Sequence, residues 1–239
     1  MRKFYSSRFR ACGNVQKVEV VEYSNGTKEL LKITLKAGED YITYAVMNTK
    51  NDPQKTQNLL LKLREGDFVQ TDGNVSTNEY EDRTGNLRVS ENFVAFGTNH
   101  VEEISDPQIF LTVAGIVKSK MDSDNEDDKK IRISVYDDYS TKTYEYLFRL
   151  DKSMADFFDD IDVGDNVSVV AKYVNRTVAD INASTTPTYG QQIDGVTPAG
   201  MARKRVNEKV ILQGFVVAQA DDLTDEDDFE AINNDDIPF

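Results

Sequence analysis

The sequence predicts an all-β protein with short helices, built from two copies of one small five-stranded unit and followed by an acidic tail. Three observations carry this expectation. Apolar and polar residues alternate in runs bounded by turn signals. Two internal similarities recur at nearly one offset. The composition turns sharply acidic after residue 220.

The repeat sets the frame. The stretch LREGDFVQTDGNV at 63–75 lies over DVGDNVSVVAKYV at 162–174, each a Gly-Asp pair followed by a strand pattern. ACGNVQKVE at 11–19 likewise matches VAGIVKSKM at 113–121, with a small residue, Gly, and Val two places on. The separations are about 99 and 102 residues, which predicts a duplicated module of about 100. Boundaries at 1–105 and 108–219 follow, with Ser105, Asp106 and Pro107 as the linker and 220–239 as the tail.

Each element then has a local reason. In the first module, residues 9–23 read as a long strand, and Ser-Asn-Gly-Thr at 24–27 is a hairpin turn because Asn-Gly accepts positive φ. The second strand sets Leu31, Ile33 and Leu35 on one face against Lys32, Thr34 and Lys36 on the other. Residues 40–48 make a third strand. Residues 52–63 predict a short helix: Asp52 as cap, Pro53 in the first turn, and Leu59, Leu60 and Leu63 as its apolar face. Strands at 68–78 and 87–96 complete the unit.

The second module repeats the order. Strands fall at 109–121, 131–136 and 143–150, then a helix over 151–161 with Met154, Phe157, Phe158 and Ile161 inward. A strand at 166–177, a long irregular stretch at 179–205 and a strand at 208–218 follow. Three strands, a helix and two strands is the order of an OB-fold, a five-stranded Greek-key barrel. SH3-like barrels and a sandwich share the strand count and stay open at this point. The long stretch between strands four and five suits an OB-fold, which holds oligonucleotides partly through that loop.

Charge and rare residues narrow the function. The net charge is −14, but residues 221–239 hold nine acids and no base. Of 42 acids, 33 remain outside that tail against 28 bases, so the body is only mildly acidic. A second acidic run, MDSDNEDD at 121–128, reads as a loop without the glycine and final glutamate of a calcium-binding hand. Cys12 is the single cysteine and His100 the single histidine, which excludes an internal disulfide and a His/Cys metal cluster. Cys12 falls in a strand, where burial is the expected fate. No apolar run has the length of a membrane span, and the basic start lacks a secretory apolar core, so a soluble cytoplasmic setting is expected. No phosphate loop and no HExxH motif is present; no cofactor and no catalysis are expected, with a metal-dependent nuclease as the enzymatic rival.

An OB groove grips a single strand with cations along the backbone and rings under the bases. The chain offers 11 tyrosines and 12 phenylalanines. In the first module the candidates are Arg8 and Arg10 at the basic start, Lys32 and Lys36 on strand two, Tyr41 on strand three and Phe68 opposite in direction to Val69. Tyr80 and Arg83 sit at the tip between strands four and five. In the second they are Tyr136, Tyr144, Tyr146, Phe148 and Tyr173, with Arg132, Arg149 and Lys172 nearby. Tyr189 and the basic cluster Arg203, Lys204 and Arg205 fall in or beside the long loop. Strands are rich in aromatic residues in any case, so core packing competes with base stacking for each ring.

The sequence ends in Asp235, Asp236, Ile237, Pro238 and Phe239 after its acidic run. This ending resembles the tip of bacterial single-stranded DNA-binding proteins. The resemblance implies an OB protein that coats single-stranded DNA and docks replication, recombination and repair proteins through those five residues. It covers the tail only. The familiar form has one OB domain, a Gly/Gln/Pro-rich linker and a tetrameric assembly. Two modules and a short acidic tail look more like a diverged phage or mobile-element member, as a monomer or homodimer. The tip chemistry suits docking: Phe239 joins a ring to the α-carboxylate, and Pro238 biases Ile237 to extended backbone. Binding of RNA and a scaffold role without nucleic acid are the alternative readings.

Overall fold

The computed structural model describes residues 5–23, 28–81, 85–122, 129–137, 140–179 and 203–217. Among these residues ten strands and two short α-helices follow one another as β1 (Ser6–Tyr23), β2 (Lys28–Ala37), β3 (Asp40–Met47), α1 (Lys55–Lys62), β4 (Phe68–Glu81), β5 (Leu87–His100), β6 (Ile109–Met121), β7 (Lys130–Asp137), β8 (Lys142–Leu150), α2 (Ala155–Asp160, preceded by a 3-10 turn at Lys152–Met154), β9 (Asn166–Ala179) and β10 (Arg203–Val216). The strands run β2-β3-β5-β4-β1-β6-β7-β8-β10-β9, and further pairings of β1 with β2 and of β6 with β9 close each half into a barrel. Both barrels close through a short parallel pairing, β3 with β5 and β8 with β10. This is OB connectivity, present twice.

The two halves repeat in detail, for steric reasons. A Cβ on Gly13 would sit 2.3 Å from the Lys36 carbonyl oxygen, and one on Gly115 would sit 2.4 Å from that of Ser134. At both places the first strand passes so close to the second that only glycine fits. Two residues later Val15 and Val117, both 1% exposed, precede a register break against that second strand. A Gly-Asp turn then locks each valine. Gly66 and Gly164 have φ of +92° and +103°. Their N–H groups donate to the Val15 and Val117 carbonyls at 2.8 and 2.9 Å. Asp67 and Asp165 each accept from a backbone N–H three residues earlier, of Arg64 and Asp162, at 2.7 Å.

The barrels join where β1 pairs antiparallel with β6 over Ser6–Ala11 and Ile109–Ala114. The 102-residue offset that carries Gly13 onto Gly115 carries Phe9 onto Leu111, and these two are direct partners. The seam is therefore symmetric about that pair. One buried cluster runs through both barrels. Phe9 stacks edge-on against Phe93 at 5.2 Å, and Phe93 against Tyr173 at 5.3 Å, so rings of one barrel pack on a ring of the other.

Several sequence expectations are corrected. Residues 203–205 belong to β10, paired with Ala179, Val178 and Thr177, and not to a loop. The strand pairing satisfies their backbone groups, which the Gly/Pro-rich composition just upstream conceals. Helix α1 begins at Lys55 after Gln54, not from an Asp52 cap. Its first turn is tied instead by Asn48, whose Oδ1 accepts from the Thr56 N–H at 2.9 Å. Leu63 is buried and Leu59 packs on the core, but Leu60 is exposed, because a helix this short presents only one turn to the barrel. Among the described residues, no helix is long and apolar enough to cross a membrane.

Candidate nucleic-acid interface

Strand alternation builds the first candidate surface. Along β3, Asp40, Ile42, Tyr44 and Val46 are buried, while Tyr41 and Thr43 face out. Along β2, Leu31, Ile33 and Leu35 fill the barrel, which turns Lys32, Thr34 and Lys36 outward. Register pairs Lys36 with Tyr41, Thr34 with Thr43 and Lys32 with Ala45. The Lys36 ammonium stands 5.9 Å from the Tyr41 ring centre, within cation–π reach. Thr34 and Thr43 share a hydroxyl hydrogen bond of 2.9 Å. Two lysines and a 39% exposed tyrosine thus lie on a two-strand face that carries no carboxylate. On neighbouring β1, Glu19 lies opposite Lys32 and is itself paired with Lys17 at 2.7 Å.

The equivalent face of the second barrel is built differently. Ser134 stands where Lys36 stands in the first, and its partner Glu145 stands where Tyr41 does. Glu145 holds Arg132 at 3.2 Å, and Glu208 holds Arg149 at 3.3 Å. Leu147, 43% exposed, lies opposite Arg132. Tyr136 is exposed at the far end of β7.

The remaining candidates are dispersed. Arg8 and Arg10 lie on β1 within the seam, opposite Thr112 and Phe110. Arg10 faces Phe110, which in turn faces Lys172 on β9, so an aromatic residue separates two cations across three strands. Phe68 is half-buried at the start of β4, and Tyr80 is 49% exposed near the end of that strand. Lys204 and Arg205 are exposed on β10. Arg83, Tyr189 and the tip Asp235, Asp236, Ile237, Pro238 and Phe239 lie outside the described residues.

Three rings are corrected from candidate platforms to core. Tyr146, Phe148 and Tyr173 are 0%, 0% and 3% exposed. The Tyr146 hydroxyl donates to the Val75 carbonyl at 2.8 Å and also contacts Ser7 Oγ at 3.0 Å, which fastens β8 to the first barrel. Tyr173 donates to Glu91 at 3.2 Å. Tyr144 is half-buried against the same core, with its hydroxyl 3.1 Å from Ser140 Oγ. Burial pushes the hydroxyl of Tyr146 well above the ordinary tyrosine range, and burial followed by the Glu91 charge does the same to Tyr173. Cys12 is buried, and burial raises its thiol, so it behaves as a small apolar residue.

Two OB barrels joined in one sheet define the structural class of this chain. No protein-family model and no curated relative matches the sequence. Among solved structures, a deletion mutant of the single-stranded DNA binding protein from Thermus aquaticus aligns at a TM-score of 0.60 and 10% identity, covering 90% of this chain and 96% of that one. The wild-type Thermus aquaticus protein aligns at 0.57 and 11% identity, covering 91% and 95%. The likeness is one of fold, and it spans both barrels.

Proposed function

We propose that this chain is a non-catalytic, sequence-tolerant single-stranded DNA-binding protein. The observation that carries the reading is the outer face of β2 and β3, where Lys36 stands opposite the exposed Tyr41, Lys32 lies further along the same face, and no carboxylate of either strand points outward with them. A ring on a rigid strand stacks any base, and lysines beside it contact phosphate, so the face suits an unpaired strand. The Thermus aquaticus protein, which shares the fold over both barrels, is by its name a single-stranded DNA binder. The acidic tail and its Asp-Asp-Ile-Pro-Phe ending add the second half of the reading. The barrels hold DNA, and the tip recruits replication, recombination and repair proteins, as in the family it resembles. The division into a first module, a second module and a tail follows the same reading.

Labelled oligo-dT, oligo-rU and duplex DNA titrated over a salt series test it. Oligo-dT is expected to bind tightly and duplex poorly, with log K falling by about 0.7 per phosphate contact per decade of salt. Equal affinity for duplex overturns the reading. Preference for oligo-rU moves it to RNA. Phe239→Ala is expected to leave oligo-dT binding intact and abolish capture of tip-binding partners.

A further inference from the structure

The β9–β10 stem does not stop at its own barrel. Residues that begin as barrel-two core run on across the flank of barrel one. Tyr173 packs on Phe93, and Glu91 of β5 accepts from Tyr173, Asn207 and Lys209. Beyond them the stem reaches the β2–β3 turn. Asn175 donates its backbone N–H to the buried Asp40 carboxylate at 3.0 Å and its side-chain Nδ2 to the Tyr41 carbonyl at 2.8 Å. Arg176 pairs with Glu39 at 2.8 Å. The Asn175 Oδ1 in turn accepts from Arg205 Nε at 3.1 Å.

One amide therefore grips the backbone of Tyr41 on one side and the guanidinium of Arg205 on the other. Arg205 and its neighbour Lys204 are exposed, and neither is paired with a carboxylate among the described residues. We propose that the β9–β10 stem of barrel two completes the binding face of barrel one. A single strand passes over Lys36 and Tyr41 and continues onto Arg205, with Asn175 as the residue that positions the two groups. Arg205 acts by charge on phosphate. Asn175 touches no nucleotide and acts through Arg205 and the Tyr41 backbone. The proposal rests on the single-strand-binding reading and deepens it.

The test uses the full chain with labelled oligo-dT of about 6 and about 30 nucleotides, lengths that bracket one OB site. Affinity is read across a salt series. Arg205→Ala and Asn175→Ala are expected to make the salt slope for the long oligonucleotide shallower by about 0.7, the loss of one phosphate contact. Arg205→Ala weakens the long oligonucleotide by a larger factor than the short one, whereas Asn175→Ala weakens both, because it also releases the Tyr41 backbone. Arg205→Lys, which keeps the charge, restores the slope. Tyr41→Ala weakens both lengths. Unchanged long-oligonucleotide slopes in Arg205→Ala and in the double variant Lys204→Ala/Arg205→Ala, while wild type binds normally, overturn the stem assignment and leave the function standing. Failure of the wild-type chain to bind either length overturns the function itself and this assignment with it.

Discussion

The two barrels share their interiors and differ on their outer faces. Gly13 and Gly115, Val15 and Val117, and the Gly-Asp turns at Gly66 and Gly164 occupy the same places and make the same hydrogen bonds. Outside, Lys36 opposite Tyr41 in one barrel becomes Ser134 opposite Glu145 in the other. The β6–β7 connection also carries Asp122, Asp124, Glu126, Asp127 and Asp128, where the β1–β2 connection has Ser-Asn-Gly-Thr. Packing is intolerant of change by a single methyl, whereas an outward side chain is held mainly by what it binds. A duplicated chain can therefore keep two walls and specialise one face. The face free of carboxylates is the one that the proposed function assigns to a polyanion.

The shared interior offers the largest expected effect. Burial pushes the Tyr44 hydroxyl of barrel one up to about 12, and raises Tyr146 of barrel two as well. A tyrosine in the unfolded chain ionises near 10. The folded value is the higher, so the contribution to stability is complete below about pH 10 and is lost as pH rises through 12. Tyr44 alone accounts for about 3 kcal/mol over that window, and Tyr146 and Tyr173 add to it. Denaturant titrations from pH 8 to 12 should show wild-type stability falling more steeply than that of Tyr44→Phe. Parallel profiles would mean that Tyr44 ionises freely in the folded barrel.

Next come the close approaches. Gly13→Ala and Gly115→Ala each drive a methyl group into a backbone oxygen at about the same distance. Each is expected to cost about 3 kcal/mol by denaturant midpoint, in one cooperative transition because the core is continuous. A difference of more than about 1 kcal/mol between them would break the equivalence of the two walls.

The outer faces give smaller and unequal effects. Tyr41→Ala removes the proposed base platform and should weaken oligo-dT binding by about 2 kcal/mol, roughly 30-fold. Arg132→Ala on the other barrel should change it less than about threefold, because the guanidinium already spends its charge on Glu145. Equal losses at the two positions would make the barrels functionally symmetric.

How much of this the sequence discloses depends on whether a residue's fate is local. Alternation places Leu31, Ile33 and Leu35 inside and Tyr41 outside, because a strand has only two faces. The same rule gives no warning at Tyr146, Phe148 and Tyr173: it groups residues by side without saying which side is in. The Gly-x-Val repeat is legible because steric exclusion at Gly13 and Gly115 writes itself into residue type. Asn175 is not. Its partners Asp40 and Tyr41 lie more than 130 positions away, and an exposed-looking asparagine in a strand carries no mark of a contact across a barrel seam. Arg203, Lys204 and Arg205 mislead for a related reason, since a strand whose partner is Val178 and its neighbours looks like loop when the residues before it are Gly, Pro and Met.

The smallest effect separates two explanations of the second barrel's altered face. Glu145→Gln keeps the shape of the side chain and removes its charge, so Arg132 stays in place with its guanidinium unneutralised. The pair is partly exposed, at 44% and 34% of the two side chains, and its loss should move stability by less than about 1 kcal/mol. If local pairing is what silences this face, the variant should bind oligo-dT a few-fold more tightly, with a salt slope steeper by about 0.7. If the acids of the β6–β7 connection repel the strand before it arrives, slope and affinity should stay at the wild-type values. Neutralising Asp122, Asp124, Glu126, Asp127 and Asp128 should then raise the association rate, and most at low salt, where repulsion reaches farthest.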